Sequence, residues 1–227
     1  ILYDEKTKIY EQHEGFFDLP HLEINSISNK DFPLYHHWSY DRIYRTDMIK
    51  QPDVLMFMFL HSKDFSLDEI LANYEYYEPR TIHESSLSPS IHSIFASQLQ
   101  KHEEAFKFFS FATRMDLDNY NRNTGEGLHT TSIAAAWVNI VYGFGGMRSD
   151  GEVLSFSPSL PAQWKSYEFR IAYKESHIRV LISATSVEFT IIGNRIETEK
   201  IEIELYGKTC FIDSNGLCVS LPSGHRG

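Results

Sequence analysis

Residues 130–173 read TTSIAAAWVNIVYGFGGMRSDGEVLSFSPSLPAQWKSYEFRIAY, and within them the apolar period changes. Thr130 to Tyr142 is Ala-rich and suits a helix, which Gly143, Gly145 and Gly146 close. Tyr167 to Tyr173 alternates apolar with polar residues, as a half-buried strand does. The same switch divides the whole chain. Up to about Arg148 the pattern is helical with polar loops, and from about Val153 it is strand-like. The boundary falls near residue 150, which predicts an α+β multidomain chain: a helical unit over 1–150 and a small antiparallel β-sandwich over 151–227.

Upstream, Asp53 to Leu60 (DVLMFMFL) is apolar on nearly every face and suits an inner helix rather than a surface one. Ser66 with Glu69, flanked by Phe65 and Ile70, has the form of a capping box with a hydrophobic staple, and the helix it opens must end by Glu78 because Pro79 follows. Ser88 before Pro89 reads as an N-cap with proline at the first helical position, starting a helix through Leu99. A further amphipathic helix is predicted from His102 to Met115, followed by a polar loop from Asp116 to Gly127. Paired helices joined by polar loops imply a helical toroid. Downstream, His177–Ala184, Ser186–Ile192 and Lys200–Tyr206 read as further strands, while the polar, turn-rich Leu221–Gly227 predicts a disordered end.

Composition narrows the function. Net charge is −10, spread along the chain, which argues against nucleic acid as a partner and suits a neutral polyol. No apolar run approaches the roughly 20 residues that a membrane helix needs, so no membrane partner is expected. Cys210 and Cys218 lack His or Cys at metal-ligand spacing, so they predict two buried thiols in a reducing cytoplasm, with neither a metal site nor a disulfide framework. The chain opens on Ile1 with no signal-peptide pattern and looks truncated at its N-terminus.

Two loops that precede helices are rich in donors. Ser85 and Ser86 stand before the helix opened by Pro89, and Gly125, Gly127 and His129 before the Ala-rich helix. Free backbone N–H groups and the positive dipole end make each an anion site, and their convergence would surround one phosphate. From spacing alone the signal is weak: serines before a proline are ordinary caps, and a histidine at a helix start is more often structural than catalytic. Lys50, Gln51 and Asp53 lie at the lip of the apolar helix, where long polar side chains suit sugar hydroxyls or simply solvate its N-terminus. Glu78 shares that ambiguity. His13 with Glu14 and Gly15, and His36 and His37 with Trp38, form clusters without metal spacing.

In order along the chain stand EQHEGFF, WSYDRI, KQPDV, YYEP, HESSLSPS, DLDNYN, GLHTTSIAAAW, GFGGMR and LSFSPSLPAQW. This series resembles glycoside hydrolase family 65 from about Tyr10 to about Ile212. The resemblance implies the C-terminal part of an (α/α)6 catalytic barrel followed by a β-sandwich. It also implies an inverting phosphorylase of α-linked glucose disaccharides that takes inorganic phosphate as co-substrate, uses no cofactor, and forms homodimers at full length. By this resemblance Ser85, Ser86 and His129 contact phosphate, Lys50 and Gln51 the donor sugar, and Glu78 the acceptor sugar. The family's general acid lies in a G-P-D-E type motif that this sequence does not contain, so no catalytic residue is assigned and the chain alone is expected to be inactive. A hydrolase of the same family, similar to acid trehalases, and a non-catalytic carbohydrate-binding module are the competing readings.

Overall fold

The computed structural model describes residues 2–120, 122, 124–193 and 200–227, with Glu126 described for its backbone only. Part of the loop from Asp116 to Gly127 therefore lies outside the described residues. Before the first long helix comes a small hairpin, β1 (Tyr3–Asp4) with β2 (Ile9–Tyr10), which the helical reading of this region did not anticipate. Asn73 holds it in place: its side-chain oxygen accepts from the Tyr10 N–H at 2.9 Å, and its amide donates to the Lys8 carbonyl at 2.8 Å. Two short helices follow, α1 (Leu34–His37) and α2 (Tyr40–Tyr44).

The main helices are α3 (Asp53–Leu60), α4 (Leu67–Tyr77), α5 (Ser88–Gln98), α6 (His102–Arg114) and α7 (Thr130–Val138). Ser66 and Glu69 form the expected capping box at the start of α4. The start of α5 departs from expectation, because Leu87 rather than Ser88 is the N-cap. The reason lies upstream: the Ser85 hydroxyl accepts the Leu87 N–H at 3.1 Å, so the chain turns one residue early and draws Ser88 into the first turn, where its hydroxyl is buried without a partner among the described residues. The Ala-rich helix also differs. It stays α-helical only to Val138 and continues as a π-helical turn from Asn139 to Phe144 before the glycines.

Every residue of α5 from Ser88 to Ser97 is buried, which makes it the central helix, in contact with α3, α4, α6 and α7. Its small polar residues allow this. Ser93 donates to the Ala105 carbonyl of α6 at 2.9 Å, and Ser97 to the Gly143 carbonyl at 3.1 Å, so these two hydroxyls are satisfied across helix contacts, whereas those of Ser88 and Ser90 are buried without a partner among the described residues.

Seven strands form the rest: β3 (Leu154–Phe156), β4 (Ser166–Tyr173), β5 (Ser176–Ser183), β6 (Ser186–Ile192), β7 (Ile201–Leu205), β8 (Lys208–Ile212) and β9 (Leu217–Ser220). One sheet has the order β4-β5-β6-β9 and is antiparallel throughout; the other has the order β3-β7-β8. The two share one apolar core, with Phe156 of β3 meeting Phe189 of β6 edge-on at 5.1 Å. The sandwich is not wholly antiparallel as expected, because β3 enters from the helical unit and lies parallel to β7. The expected disordered end is also corrected: Leu221 is buried, the Leu160 N–H donates to the His225 carbonyl at 2.8 Å, and the Gly227 N–H donates to the Leu160 carbonyl at 2.9 Å. Cys210 is half-buried and Cys218 exposed, so the expected pair of buried thiols is not found. β9 is an outer strand whose alternation turns Cys218 outward. Trp164 and Tyr167 pack against both the helical core and the sheet core and join the two units. No helix among the described residues is long and apolar enough to cross a membrane.

Candidate functional site

A short parallel pairing sets the site. Ile49 lies alongside Thr81, with the Ile49 N–H donating to the Arg80 carbonyl at 2.8 Å and the Ile82 N–H to the Ile49 carbonyl at 3.0 Å. The segment leading into α3 therefore runs beside the segment leading into α5. Gln51 and Ser85, which are 34 positions apart in the sequence, consequently meet: the Ser85 hydroxyl donates to Gln51 Oε1 at 2.9 Å. This bond places the N-termini of α3 and α5 side by side.

The third helix start is reached through α6. Ser93 near the middle of α5 bonds to Ala105 near the start of α6, and Ser132 near the start of α7 donates to the Ala112 carbonyl near the end of α6 at 2.6 Å. Both α5 and α7 are therefore antiparallel to α6. Their N-termini lie at its C-terminal end, so three positive dipole ends face one side of the helical unit.

Lys50 is held by aromatic rings. Its ammonium stands 5.0 Å from the Tyr35 ring centroid and 5.4 Å from that of Tyr40, with the Tyr40 hydroxyl at 3.4 Å. Glu84, which spacing did not single out, is the residue that organises this corner. Its carboxylate accepts the Leu34 N–H at 2.5 Å and the Tyr35 N–H at 3.3 Å, clamping the start of α1 and with it the ring over Lys50. Burial pushes the Glu84 carboxyl above its ordinary range, while these two amides and the nearby Lys50 pull it back. Glu84 stands inside the HESSLSPS segment, and its position next to Ser85 was the available signal. Ser86 is half-buried beside Ser85.

His129 caps α7 from a different partner. Asp116 accepts its backbone N–H at 2.8 Å and approaches its ring Nδ1 at 2.5 Å. A carboxylate can only accept, so the proton sits on Nδ1 and the ring orientation is set. The His129 hydrogen bonds hold the Asp116 carboxyl below its ordinary range. Asp116 was not singled out, although it opens the DLDNYN segment; it lies 13 positions upstream of His129.

Glu78 stands apart from the Gln51–Ser85 pair, in a field set by Glu104, Lys101 and Lys107. Burial and the neighbouring Glu104 raise its carboxyl. The other flagged clusters do structural work in part: Arg42 lies 3.5 Å over the Trp38 ring, His36 packs edge-on against Tyr35, and His13 against Phe16. Among the described residues no group of three or more His, Cys, Asp or Glu side chains is placed to hold a metal ion. What the arrangement offers is a cation, two hydroxyls, an oriented imidazole and three helix N-termini, which together suit an oxyanion next to a polyol.

The model of the glycosyl hydrolase family 65 central catalytic domain matches residues 1–138, and that of the family 65 C-terminal domain matches residues 147–210. The chain belongs to glycoside hydrolase family 65. It is 42% identical over 190 residues to maltose phosphorylase of Bacillus subtilis (strain 168), covering 84% of this chain and 25% of that protein. It is 40% identical over 211 residues to the α,α-trehalose phosphorylase of Thermoanaerobacter brockii, covering 93% of this chain and 27% of that protein. Kojibiose phosphorylase of Halothermothrix orenii is 32% identical over 220 residues, covering 96% of this chain and 28% of that protein. A solved structure from the human microbiome, provisionally assigned as a kojibiose phosphorylase, superposes with a TM-score of 0.89 at 51% identity, over 97% of this chain and 29% of that one. The chain thus spans about a quarter of the length of the relatives it matches.

Proposed function

We propose that this chain is the C-terminal part of an inverting phosphorylase that cleaves an α-linked glucose disaccharide with inorganic phosphate, giving β-glucose 1-phosphate and glucose. The observation that carries the reading is the Ser85–Gln51 hydrogen bond, which brings a sugar-type contact and an anion-type contact to the joined N-termini of α3 and α5. The alternation of α3 to α7 around α5 supports reading the helical unit, residues 1–150, as part of an (α/α)6 barrel, with residues 151–227 as the sandwich that follows it. The similarity to maltose, trehalose and kojibiose phosphorylases supports the substrate class.

In this reading Ser85, Ser86 and His129 hold phosphate against the positive helix ends, and Lys50 and Gln51 hold the donor glucose. Glu78 meets the acceptor sugar from the rim. A phosphate oxygen attacks the anomeric carbon from the face opposite the glycosidic oxygen, forming the new C–O bond as the old one breaks. The departing oxygen takes a proton from a carboxylic acid supplied by a segment outside these 227 residues. Phosphate is itself the nucleophile, so no activated water and no cofactor is required.

The test is to incubate the full-length enzyme with maltose, nigerose, kojibiose and trehalose, with and without phosphate, and to assay β-glucose 1-phosphate against free glucose. Sugar phosphate formed only with phosphate, and lost in His129→Ala, is the expected result. Equal glucose release without phosphate would replace the phosphorylase with a hydrolase, and sugar binding without turnover of any of the four would leave a binding module.

A further inference from the structure

His83 stands between the segment paired with Ile49 and the two residues that reach the site, Glu84 and Ser85. We infer that His83 is a positioning residue for the phosphate site: its left-handed backbone, held by a ring wedged between α5 and α6, aims Ser85 at Gln51. This inference deepens the phosphorylase reading and rests on it for the identity of the anion.

The backbone of His83 has φ +47, in the left-handed region that few residues with a Cβ adopt. The turn made there sends two consecutive side chains to different helices. The Glu84 carboxylate goes to the amides at the start of α1, and the Ser85 hydroxyl to Gln51 at the lip of α3. With extended backbone at residue 83 the chain would continue in line with Thr81 and Ile82, and both contacts would be lost.

The ring fixes the turn. It meets the His92 ring of α5 edge-on at 4.6 Å and the Phe108 ring of α6 at 4.8 Å. His92 is bonded to the Ser88 carbonyl at 2.8 Å, so the brace runs back to the helix start that Ser85 precedes. Both ring nitrogens of His83 are buried without a hydrogen-bond partner among the described residues, so the ring does not itself touch an anion. Burial, with His92 and Lys107 nearby, holds the imidazole well below its ordinary range, and the ring is neutral near pH 7. It brings no charge to the phosphate, and its part is geometric. Neither the left-handed backbone nor the unpaired nitrogens favour this turn locally; the contacts on either side hold it, as at strained positions that serve a site.

The experiment is a calorimetric titration of the full-length enzyme with inorganic phosphate, with no disaccharide present, below the melting temperature of each variant. His83→Ala, which loses the ring and strains the left-handed backbone, is expected to weaken phosphate binding about tenfold, as the loss of one hydrogen bond to a charged group does. His83→Asn, which adopts that backbone readily, should stay within about threefold of the parent. Because His83 acts through Ser85, adding His83→Ala to Ser85→Ala should weaken binding by no more than about twofold beyond Ser85→Ala alone. A merely structural histidine would lower the melting temperature and leave the phosphate affinity of the folded protein as it was. Parent-like affinity in His83→Ala, or losses that simply add in the double variant, would overturn the inference while leaving the phosphorylase reading intact. Should His83→Ala fail to fold, His83→Gly, which takes the backbone without strain but has no ring to hold it, replaces it; about threefold weaker binding supports the inference, and parent-like binding overturns it. A parent that takes up no phosphate overturns the phosphorylase reading and this inference together.

Discussion

Asp116, the first residue of the DLDNYN segment, shows how one side chain can govern another 13 positions further along the chain. It takes both the backbone N–H and the ring Nδ1 of His129, so it sets the cap of α7 and the orientation of the imidazole together. An amide in its place has one acceptor oxygen for these two donors. Asp116→Asn is therefore expected to lower phosphate-dependent formation of β-glucose 1-phosphate by the full-length enzyme, about tenfold to a hundredfold in kcat/KM, the equivalent of one charge-assisted hydrogen bond. Unchanged kcat/KM in that variant would mean that the imidazole does not depend on Asp116 for its placement. Ser85 and Gln51 were both legible as candidates from the helix-start pattern, whereas their contact with each other was not. Glu84 was legible only as a neighbour, since its work is done on the amides of residues 34 and 35, about 50 positions earlier.

Helix α5 carries the candidate site on its N-terminus and buries a histidine one turn in. His92 donates from Nδ1 to the Ser88 carbonyl at 2.8 Å and packs near His83 and Phe108. Burial holds its imidazole down at about 4, against the Ser88 bond, and pushes His83 well below its ordinary range as well. The unfolded imidazole takes its proton near 6.5 and the folded His92 near 4, so between those values the unfolded chain binds more protons and stability falls as the pH falls. The melting temperature should decline on acidification from about pH 6.5 toward 4, and His92→Gln should reduce that slope. A slope unchanged by the substitution would place the proton uptake elsewhere. The limits of α3 and α4 followed from local signals, an apolar run and a capping box, because those signals act within one helical turn. The start of α5 shifted by a residue since a hydroxyl three positions upstream competed for the cap.

Across the whole molecule, the helical and strand units meet where the glycines stand. Gly146 has φ +58, and a Cβ there would lie 2.4 Å from the Ser157 carbonyl oxygen and 2.6 Å from its carbon, which are backbone atoms with little freedom to yield. Left-handed backbone and close approach both demand glycine at this position. Gly146→Ala is expected to destabilise the protein by more than about 2 kcal/mol, read as a lower midpoint in chemical denaturation. A midpoint within the error of the parent would show that the joint adjusts. The class of each unit could be read in advance because the change of period from 3.6 to 2 is written residue by residue between 130 and 173. The joint itself could not: the parallel pairing of β3 with β7 and the docking of Leu221–Gly227 on Leu160 depend on partners tens of positions away. The sequence by itself determined which segments are helix and strand, where most of them stop, and which side chains could meet an anion or a sugar, because propensity, capping and alternation are short-range effects. Only the tertiary structure decided that Gln51 meets Ser85, that Asp116 orients His129, and that Gln12 donates to Asp53, because such contacts are set by how the helices pack and not by their spacing along the chain.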